Sequence, residues 1–268
     1  MAWVRSLLFN ICFLSTTLFL ALLTFPAAAF CGDGSIRWLY GVWARSVMWL
    51  IRYVLGASIE VRGQENLSDD APPALIVSKH QSELDVILMA MLYPGYGAIV
   101  MRELDNYPLL GRIIDKLGHI KVAVKGNRSN QLPEVLEGSS RVHAEGRPVL
   151  IYPEATLMEV GKKARYRSGV WYIYKELNVP ATPVAHCLGL VWPQRKIRKF
   201  PAKAAVEFLP PIPPGLAKGE FLALLEERIE TATNALIIEH ATPEAMAQIE
   251  FDDAALNAAH GTAQGDAA

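Results

Sequence analysis

Residues 74–85 read Ala74-Leu75-Ile76-Val77-Ser78-Lys79-His80-Gln81-Ser82-Glu83-Leu84-Asp85, an apolar run followed by a histidine and then an aspartate. The run predicts a buried β-strand, and the apolar spacing of residues 83–92 predicts a helix. His80 is therefore expected where a strand passes into a helix, at the mouth of an α/β fold. There it suits a general base, and Asp85 can bond the second ring nitrogen and fix its tautomer. Taken alone, such a pair is more often a structural hydrogen bond or a helix cap.

The alternation of short apolar runs and helical segments continues along most of the chain. Predicted strands are residues 59–62, 74–78, 97–101, 120–124, 148–152, 182–186 and 204–209. Predicted helices are residues 83–92, 108–117, 132–145, 170–177 and 216–240. This alternation predicts an α/β fold built on a mixed sheet with crossover helices. Ligands of such sheets collect at the carboxyl ends of strands, where His80 and the turn after residue 152 both fall.

The N-terminal region predicts a helical membrane anchor ahead of the sheet. Residues 7–30 are almost wholly apolar and carry no charge, and this length is sufficient to cross a bilayer as a helix. Arg5 precedes them, which indicates a cytoplasmic N-terminus. The alternative is a signal peptide cleaved near Ala27, but the apolar stretch exceeds a usual signal-peptide core. We therefore expect an inner-membrane protein with its α/β domain on the cytoplasmic side.

A second helical region, residues 38–56, mixes tryptophan and tyrosine with Arg45 and Arg52. This combination is typical of the membrane interface and favours a helix lying there. An amphipathic helix that caps the core is the alternative, and so is a second crossing. The predicted organisation is membrane-anchoring helices at residues 1–57, an α/β domain at 58–245 and a disordered tail at 246–268, where alanine, glycine and aspartate dominate the end.

Charge and composition limit the classes of partner that the chain is expected to bind. The chain has 26 Lys and Arg against 27 Asp and Glu, a net charge of -1, so no nucleic-acid partner is predicted. The three cysteines form no disulfide or metal pattern, and no metal site is expected. Basic residues are concentrated around residues 102–128, 162–167 and 195–203. These groups either contact anionic membrane lipid or form solvated faces.

Four motifs, in order, resemble the glycerolipid acyltransferase family of the PlsC type. His80 to Asp85 matches H-x-x-x-x-D, and the stretch from Arg102-Glu103-Leu104 through Pro108, Gly111 and Gly118 resembles the second motif. The third motif, usually F-P-E-G-T-R, is Tyr152-Pro153-Glu154-Ala155-Thr156-Leu157, and the fourth is Val179-Pro180-Ala181-Thr182-Pro183-Val184. The resemblance covers about residues 59–209, and four ordered motifs are far more specific than one.

This resemblance implies that residues 58–245 are an acyltransferase domain. Such enzymes move a fatty acyl group from a thioester, acyl-CoA or acyl carrier protein, to the free hydroxyl of a lysolipid. The first expectation for the acceptor is 1-acyl-sn-glycerol-3-phosphate, giving phosphatidic acid. The thioester is a co-substrate, and no cofactor is expected. His80 would be the general base oriented by Asp85, and Glu154 and Thr156 would shape the acceptor site. The best remaining anion contacts would be Arg102, Lys125 and Arg128.

Two departures from the family pattern concern the acceptor. Ala155 and Leu157 stand where the family has glycine and arginine, and Val124 stands where a second arginine is usual. Lysine does not offer the planar fork of arginine. Either nearby lysines replace the arginines, or the acceptor is another lipid, such as a lyso-ornithine lipid or a lysophospholipid. A catalytically idle membrane-binding homologue is a further alternative. A serine hydrolase is disfavoured because no G-x-S-x-G motif is present.

Overall fold

The computed structural model describes residues 2–67, 73–123 and 131–253, and these contain a mixed seven-stranded sheet. Its order is β1-β7-β6-β2-β5-β3-β4. Neighbours from β6 to β4 are parallel, β7 is antiparallel to β6, and β1 is parallel to β7. The predicted mixed α/β sheet is therefore confirmed. The strands are β1 (Ser58–Arg62), β2 (Leu75–Ser78), β3 (Gly97–Met101), β4 (Ile120–Val122), β5 (Val149–Ile151), β6 (Ala181–His186) and β7 (Lys203–Phe208).

The helices predicted within the α/β region are all present. Along the described chain the α-helices are α1 (Ala2–Phe30), α2 (Asp33–Leu50), α3 (Glu83–Leu92), α4 (Pro108–Leu117), α5 (Leu132–Ala144), α6 (Gly169–Leu177), α7 (Lys218–His240) and α8 (Pro243–Met246). A π-helical turn, Ile51–Leu55, continues α2. Helices α3, α5 and α6 are crossovers between strands that run in the same direction, as parallel pairing requires.

The central strand β2 is buried on both faces of the sheet. Ile76 points into one apolar cluster, where it joins residues of α1, α2 and α3. Leu75 and Val77 point into a second cluster, which is lined by α5, α6 and α7. Successive side chains of a strand alternate between faces, so covering both faces requires a continuous apolar run. This is the physical reason that residues 74–77 could be recognised as a strand.

Helix α1 packs lengthwise against the α/β domain. Phe9 is fully buried, and its ring meets Trp192 edge to face at 5.7 Å between centroids. Asn10 Nδ2 donates to the carbonyl of Ile197 at 2.9 Å. The opposite face of α1 exposes large apolar side chains, which include Trp3, Leu7, Leu14, Leu18 and Leu22. By length and composition, Ala2–Thr24 could cross a membrane: its mean hydropathy is 2.1, and only 11% of its apolar 18-residue stretch is buried. It is the candidate anchor.

One face of helix α2 packs against the rest of the protein, and the opposite face is exposed. Ile36, Ala44 and Val47 are buried, whereas Trp38 and Trp49 are exposed. The buried face packs against α1 and α3, so this helix does cap part of the core, and its exposed tryptophans lie on the outside. Its interfacial placement stays a prediction.

The C-terminal boundary differs from the predicted one. Residues 246–253 belong to the part of the chain that the structure describes, and Phe251 is only 2% exposed within the main apolar cluster. The alanine-, glycine- and aspartate-rich composition that predicts the tail begins only at Asp252, directly after Phe251. The rest of the predicted tail, residues 254–268, lies outside the described residues.

Candidate active site

The candidate site forms where the carboxyl ends of three adjacent strands meet. β2 is flanked by β5 and β6, and all three run in the same direction. His80 follows the end of β2, Glu154 follows the end of β5, and His186 is the last residue of β6. The topology therefore brings to one edge of the sheet three groups that are far apart in sequence, as expected for open α/β sheets.

The start of α3 places the aspartate. Ser82 is the N-cap, and its side-chain oxygen accepts from the backbone N–H of Leu84 at 3.1 Å. In return Asp85 Oδ2 accepts from the backbone N–H of Ser82 at 3.3 Å and of Gln81 at 3.2 Å. This reciprocal arrangement is a capping box. It holds Asp85 in the first turn of α3, fully buried beneath the histidine.

His80 and Asp85 are in hydrogen-bonding contact, as predicted. His80 Nδ1 lies 2.9 Å from Asp85 Oδ2, and the His80 side chain is 18% exposed. Assigning the proton to Nδ1 leaves Nε2 as the basic nitrogen of the ring. The ring of Tyr152 stacks on the imidazole, with 4.0 Å between centroids and 19° between planes. Two contacts thus orient a histidine that remains open to a reactant.

A second histidine lies behind the aspartate. His186 is fully buried, and its Nε2 is 3.5 Å from Asp85 Oδ2 and donates to the carbonyl of Lys79 at 2.8 Å. Burial alone would raise the pKa of Asp85, but the neighbouring His80 and His186 lower that pKa to about 2. Asp85 is therefore a carboxylate at neutral pH and can stabilise positive charge on the ring of His80.

Glu154 is part of a buried ionic cluster. Lys79 Nζ lies 2.6 Å from Glu154 Oε1 and 2.8 Å from Glu230 Oε1 on α7. Tyr166 Oη donates to the same Glu230 oxygen at 2.8 Å. Glu154 Oε2 accepts from the backbone N–H of His80 at 3.1 Å. Burial raises the pKa of Glu154, and the Lys79 ammonium opposes that rise. The Glu154 carboxylate thus holds the main chain at His80 through a hydrogen bond. Contact between Glu154 and the acceptor stays a prediction.

Of the other predicted binding residues, Thr156 and Arg102 lie within the described part of the chain. Thr156 is exposed on the turn after Glu154, next to Ala155, whose φ is +54°. Arg102 lies at the surface beyond β3, where its Nη2 is 2.6 Å from Glu134 Oε2. The remaining two, Lys125 and Arg128, lie outside the described residues, as does Val124.

Sequence reasoning missed Lys79, Tyr152, Tyr166, His186 and Glu230. One signal was available for Lys79, because it directly follows four residues of a strand that is buried on both faces. A lysine carried into such a place is almost never left unpaired. The partner could not be named, since Glu230 lies 151 residues further along the chain.

The arrangement suits proton transfer to and from a hydroxyl. A buried carboxylate orients the imidazole, the imidazole is partly exposed, and the pair stands at the end of a rigid central strand. Such an imidazole accepts a proton as an oxygen nucleophile forms and returns it to a leaving group. Within the described ranges, no group of three or more His, Cys, Asp or Glu side chains could hold a metal ion.

Comparison with known proteins agrees with this chemistry. A family model described as Acyltransferase matches residues 58–187. The 1-acyl-sn-glycerol-3-phosphate acyltransferase of Pseudomonas aeruginosa is 28% identical over 206 residues, 76% of this chain and 78% of the relative. The human enzyme of that name, beta form, is 32% identical over 52% of this chain and 50% of its own length.

The fold also matches a solved structure. The crystal structure of the 1-acyl-sn-glycerophosphate (LPA) acyltransferase PlsC from Thermotoga maritima aligns with a TM-score of 0.68 at 20% identity, over 88% of this chain and 99% of that one. Fold, site and relatives together define an acyltransferase. More narrowly, residues 58–187 match the Acyltransferase family model, and the relatives and the fold support a PlsC-type acyltransferase.

Proposed function

We propose that this enzyme is a 1-acyl-sn-glycerol-3-phosphate O-acyltransferase that forms phosphatidic acid. The observation that carries the proposal is the 2.9 Å contact of His80 Nδ1 with the buried Asp85, which makes Nε2 a base at the mouth of the site. The acceptor is taken from the relatives, which are named for this activity in a bacterium, a plant and mammals.

The proposed reaction needs one proton carrier. His80 Nε2 takes the proton of the acceptor hydroxyl as its oxygen attacks the carbonyl carbon of an acyl thioester. The new C–O bond forms, the C–S bond breaks, and the proton returns from His80 to the departing thiolate. The products are an ester and a free thiol of CoA or acyl carrier protein. Asp85 stabilises the transient imidazolium, and neither a metal nor a cofactor enters the balance.

The acceptor phosphate requires an anion site. We propose Lys125 and Arg128 as its contacts, with Thr156 and Glu154 shaping the wall of the site. Arg102 would have to exchange its ion pair with Glu134 for the phosphate, and this is feasible because exposed ion pairs are weak. Leu157, where the family has arginine, favours a second candidate acceptor that lacks this phosphate, such as a lyso-ornithine lipid or a lysophospholipid.

We propose that the enzyme acts on the cytoplasmic side of the inner membrane. The backbone N–H of Lys199 donates to Ser6 Oγ at 2.9 Å, so the first turns of α1 stay with the α/β domain. The basic N-terminus and the active site would then share one side of the bilayer, and positive residues favour the cytoplasmic side. The exposed apolar face of α1 would supply the membrane contact.

Acyl transfer by the purified full chain in mixed micelles tests this function. Lysophosphatidate and a lysolipid without that phosphate are each offered with acyl-CoA or acyl carrier protein, and ester and free thiol are both measured. We expect transfer to lysophosphatidate that disappears in His80→Ala and persists in a control, His143→Ala on α5. Transfer only to the second acceptor would establish the alternative, and no transfer to any acceptor would support an idle homologue.

A further inference from the structure

The proposed mechanism makes no use of Lys79, although its charge is among the most deeply buried in the described protein. The Lys79 side chain is 1% exposed, and its two carboxylate partners come from different parts of the fold. Glu154 follows β5, whereas Glu230 belongs to the long helix α7. The carbonyl of Lys162, at 3.1 Å from Lys79 Nζ, completes the shell. One ammonium therefore joins the centre of the sheet to the C-terminal helix.

The same residues hold the main chain on which His80 is carried. Glu154 uses one oxygen for Lys79 and the other for the backbone N–H of His80. The carbonyl of Lys79 accepts from His186 Nε2 at 2.8 Å. The N–H and the C=O of the peptide unit between Lys79 and His80 are thus both held by buried side chains. Movement of Glu230 would reach His80 through Lys79 and Glu154, without any contact with a substrate.

Stability by itself is a weak explanation for such a cluster. Replacing a buried ion pair by well-packed apolar residues is often neutral or stabilising, because desolvation offsets the attraction. A buried cluster of one lysine and two glutamates is better explained by its effect on the main chain around it, whose position the cluster fixes. Here that chain segment carries His80 and, two residues further on, the Ser82 cap that places Asp85.

We propose that Lys79 and Glu230 are positioning residues for His80. Glu230 holds Lys79, Lys79 holds Glu154, and Glu154 fixes the His80 main chain. This inference rests on the proposed function, since it concerns the same histidine. It assigns to α7, which is remote from the sequence motifs, a part in catalysis. Because neither residue touches the acceptor, their loss should lower kcat and leave KM almost unchanged.

The decisive variant is the double substitution Lys79→Met/Glu230→Gln. It removes the ammonium and one carboxylate together, so the cluster keeps its net charge and nearly its volume while the connection to α7 is lost. A misplacement of about 1 Å at a reacting group costs on the order of 10²-fold in rate. We expect kcat to fall by that order and KM to stay near the wild-type value. Circular dichroism melting defines the temperature range in which the variant is folded.

A matched control breaks a different link to α7. Arg62 on β1 bonds Glu239 of α7 at 2.7 Å and Glu60 at 2.9 Å, so it too is a cation between two glutamates. Arg62→Met should lower the melting temperature and leave kcat unchanged. A kcat of the folded double variant equal to wild type, or a rise in KM alone, would overturn the inference. If the double variant does not fold, Glu230→Gln alone decides, with an expected loss of about tenfold in kcat.

Hydrogen–deuterium exchange separates this inference from the proposed reaction. The backbone N–H of His80 is protected by Glu154, so the peptide containing residues 79–82 should exchange faster in the double variant and at the wild-type rate in Arg62→Met. If the wild type transfers no acyl group, the proposed function fails while the exchange result still decides the inference. Unchanged exchange at these residues would contradict the inference even in an active enzyme.

Discussion

Asp85→Asn tests whether the aspartate contributes charge to catalysis or only geometry. The asparagine oxygen can still accept from His80 Nδ1 and from the backbone N–H groups of Gln81 and Ser82. The cap of α3 and the tautomer of His80 are therefore kept, and the variant is expected to fold. What is lost is the negative charge that faces the imidazolium formed during proton transfer.

The size of that loss follows from the pKa of Asp85. Burial raises this pKa, yet His80 and His186 bring it from an ordinary 3.8 down to about 2. The difference corresponds to roughly 2 kcal/mol in favour of the carboxylate. Because the carboxylate also faces the imidazolium in the transition state, Asp85→Asn should lower kcat on the order of ten- to a hundredfold. KM should change little, since Asp85 lies beneath His80 and is fully buried.

The assay is the initial rate of free-thiol release from acyl-CoA at saturating acceptor. Wild type, Asp85→Asn and His80→Ala are compared, with Asp115→Asn on α4 as the control because the Asp115 side chain is 66% exposed. A kcat for Asp85→Asn within about threefold of wild type would show that Asp85 acts only as a helix cap. A loss as large as that of His80→Ala would show that the carboxylate also sets the position of the ring.

Three further predictions concern stability and membrane contact. The pKa of Asp85 is lower in the folded chain than in the unfolded one, so the contribution of Asp85 to the free energy of unfolding is complete above about pH 4 and is lost as the pH falls to about 2. Denaturant unfolding should show this loss as roughly 2 kcal/mol in the wild type and should not show it in Asp85→Asn. Ala155 has a φ of +54°, so Ala155→Gly should raise the free energy of unfolding by about 1 kcal/mol in the same assay, and unchanged stability would contradict strain there. Three exposed basic residues make no carboxylate ion pair in the described part of the chain: Arg195, Lys196 and Arg198. Replacing all three by glutamine should weaken binding to anionic vesicles on the order of 10²-fold and leave binding to neutral vesicles unaffected.

Much of the architecture could be predicted because its signals are local. The apolar run of β2 and the helical spacing after it lie within residues 74–92, and both elements occur where expected. The order of the strands could not be predicted. β1 pairs in parallel with β7, joining Ser58 to Lys203 across most of the chain, and no short-range pattern encodes such a pairing. The reversed direction of β7, which lies between β6 and the edge strand β1, has the same cause.

Part of the candidate site could likewise be predicted from local sequence, and part depends on distant residues. The His80–Asp85 contact follows from spacing, since a helix that begins at Glu83 brings residue 85 back beneath residue 80. The role of Glu154 depends on what surrounds it, and its main partner Lys79 is held in turn by Glu230 on a distant helix. The sequence motif identified a glutamate at this turn, but the direction of its carboxylate is decided by tertiary packing.

The packing of α1 sets an order of events during synthesis. Asn10 bonds the carbonyl of Ile197, 187 residues later in the chain. At about 5–20 residues per second, α1 leaves the ribosome roughly 10–40 s before that partner exists. During this interval Phe9 and its apolar neighbours have no protein surface to cover them. A bilayer can cover them at once, so the nascent chain would reach the membrane first and complete its catalytic domain there.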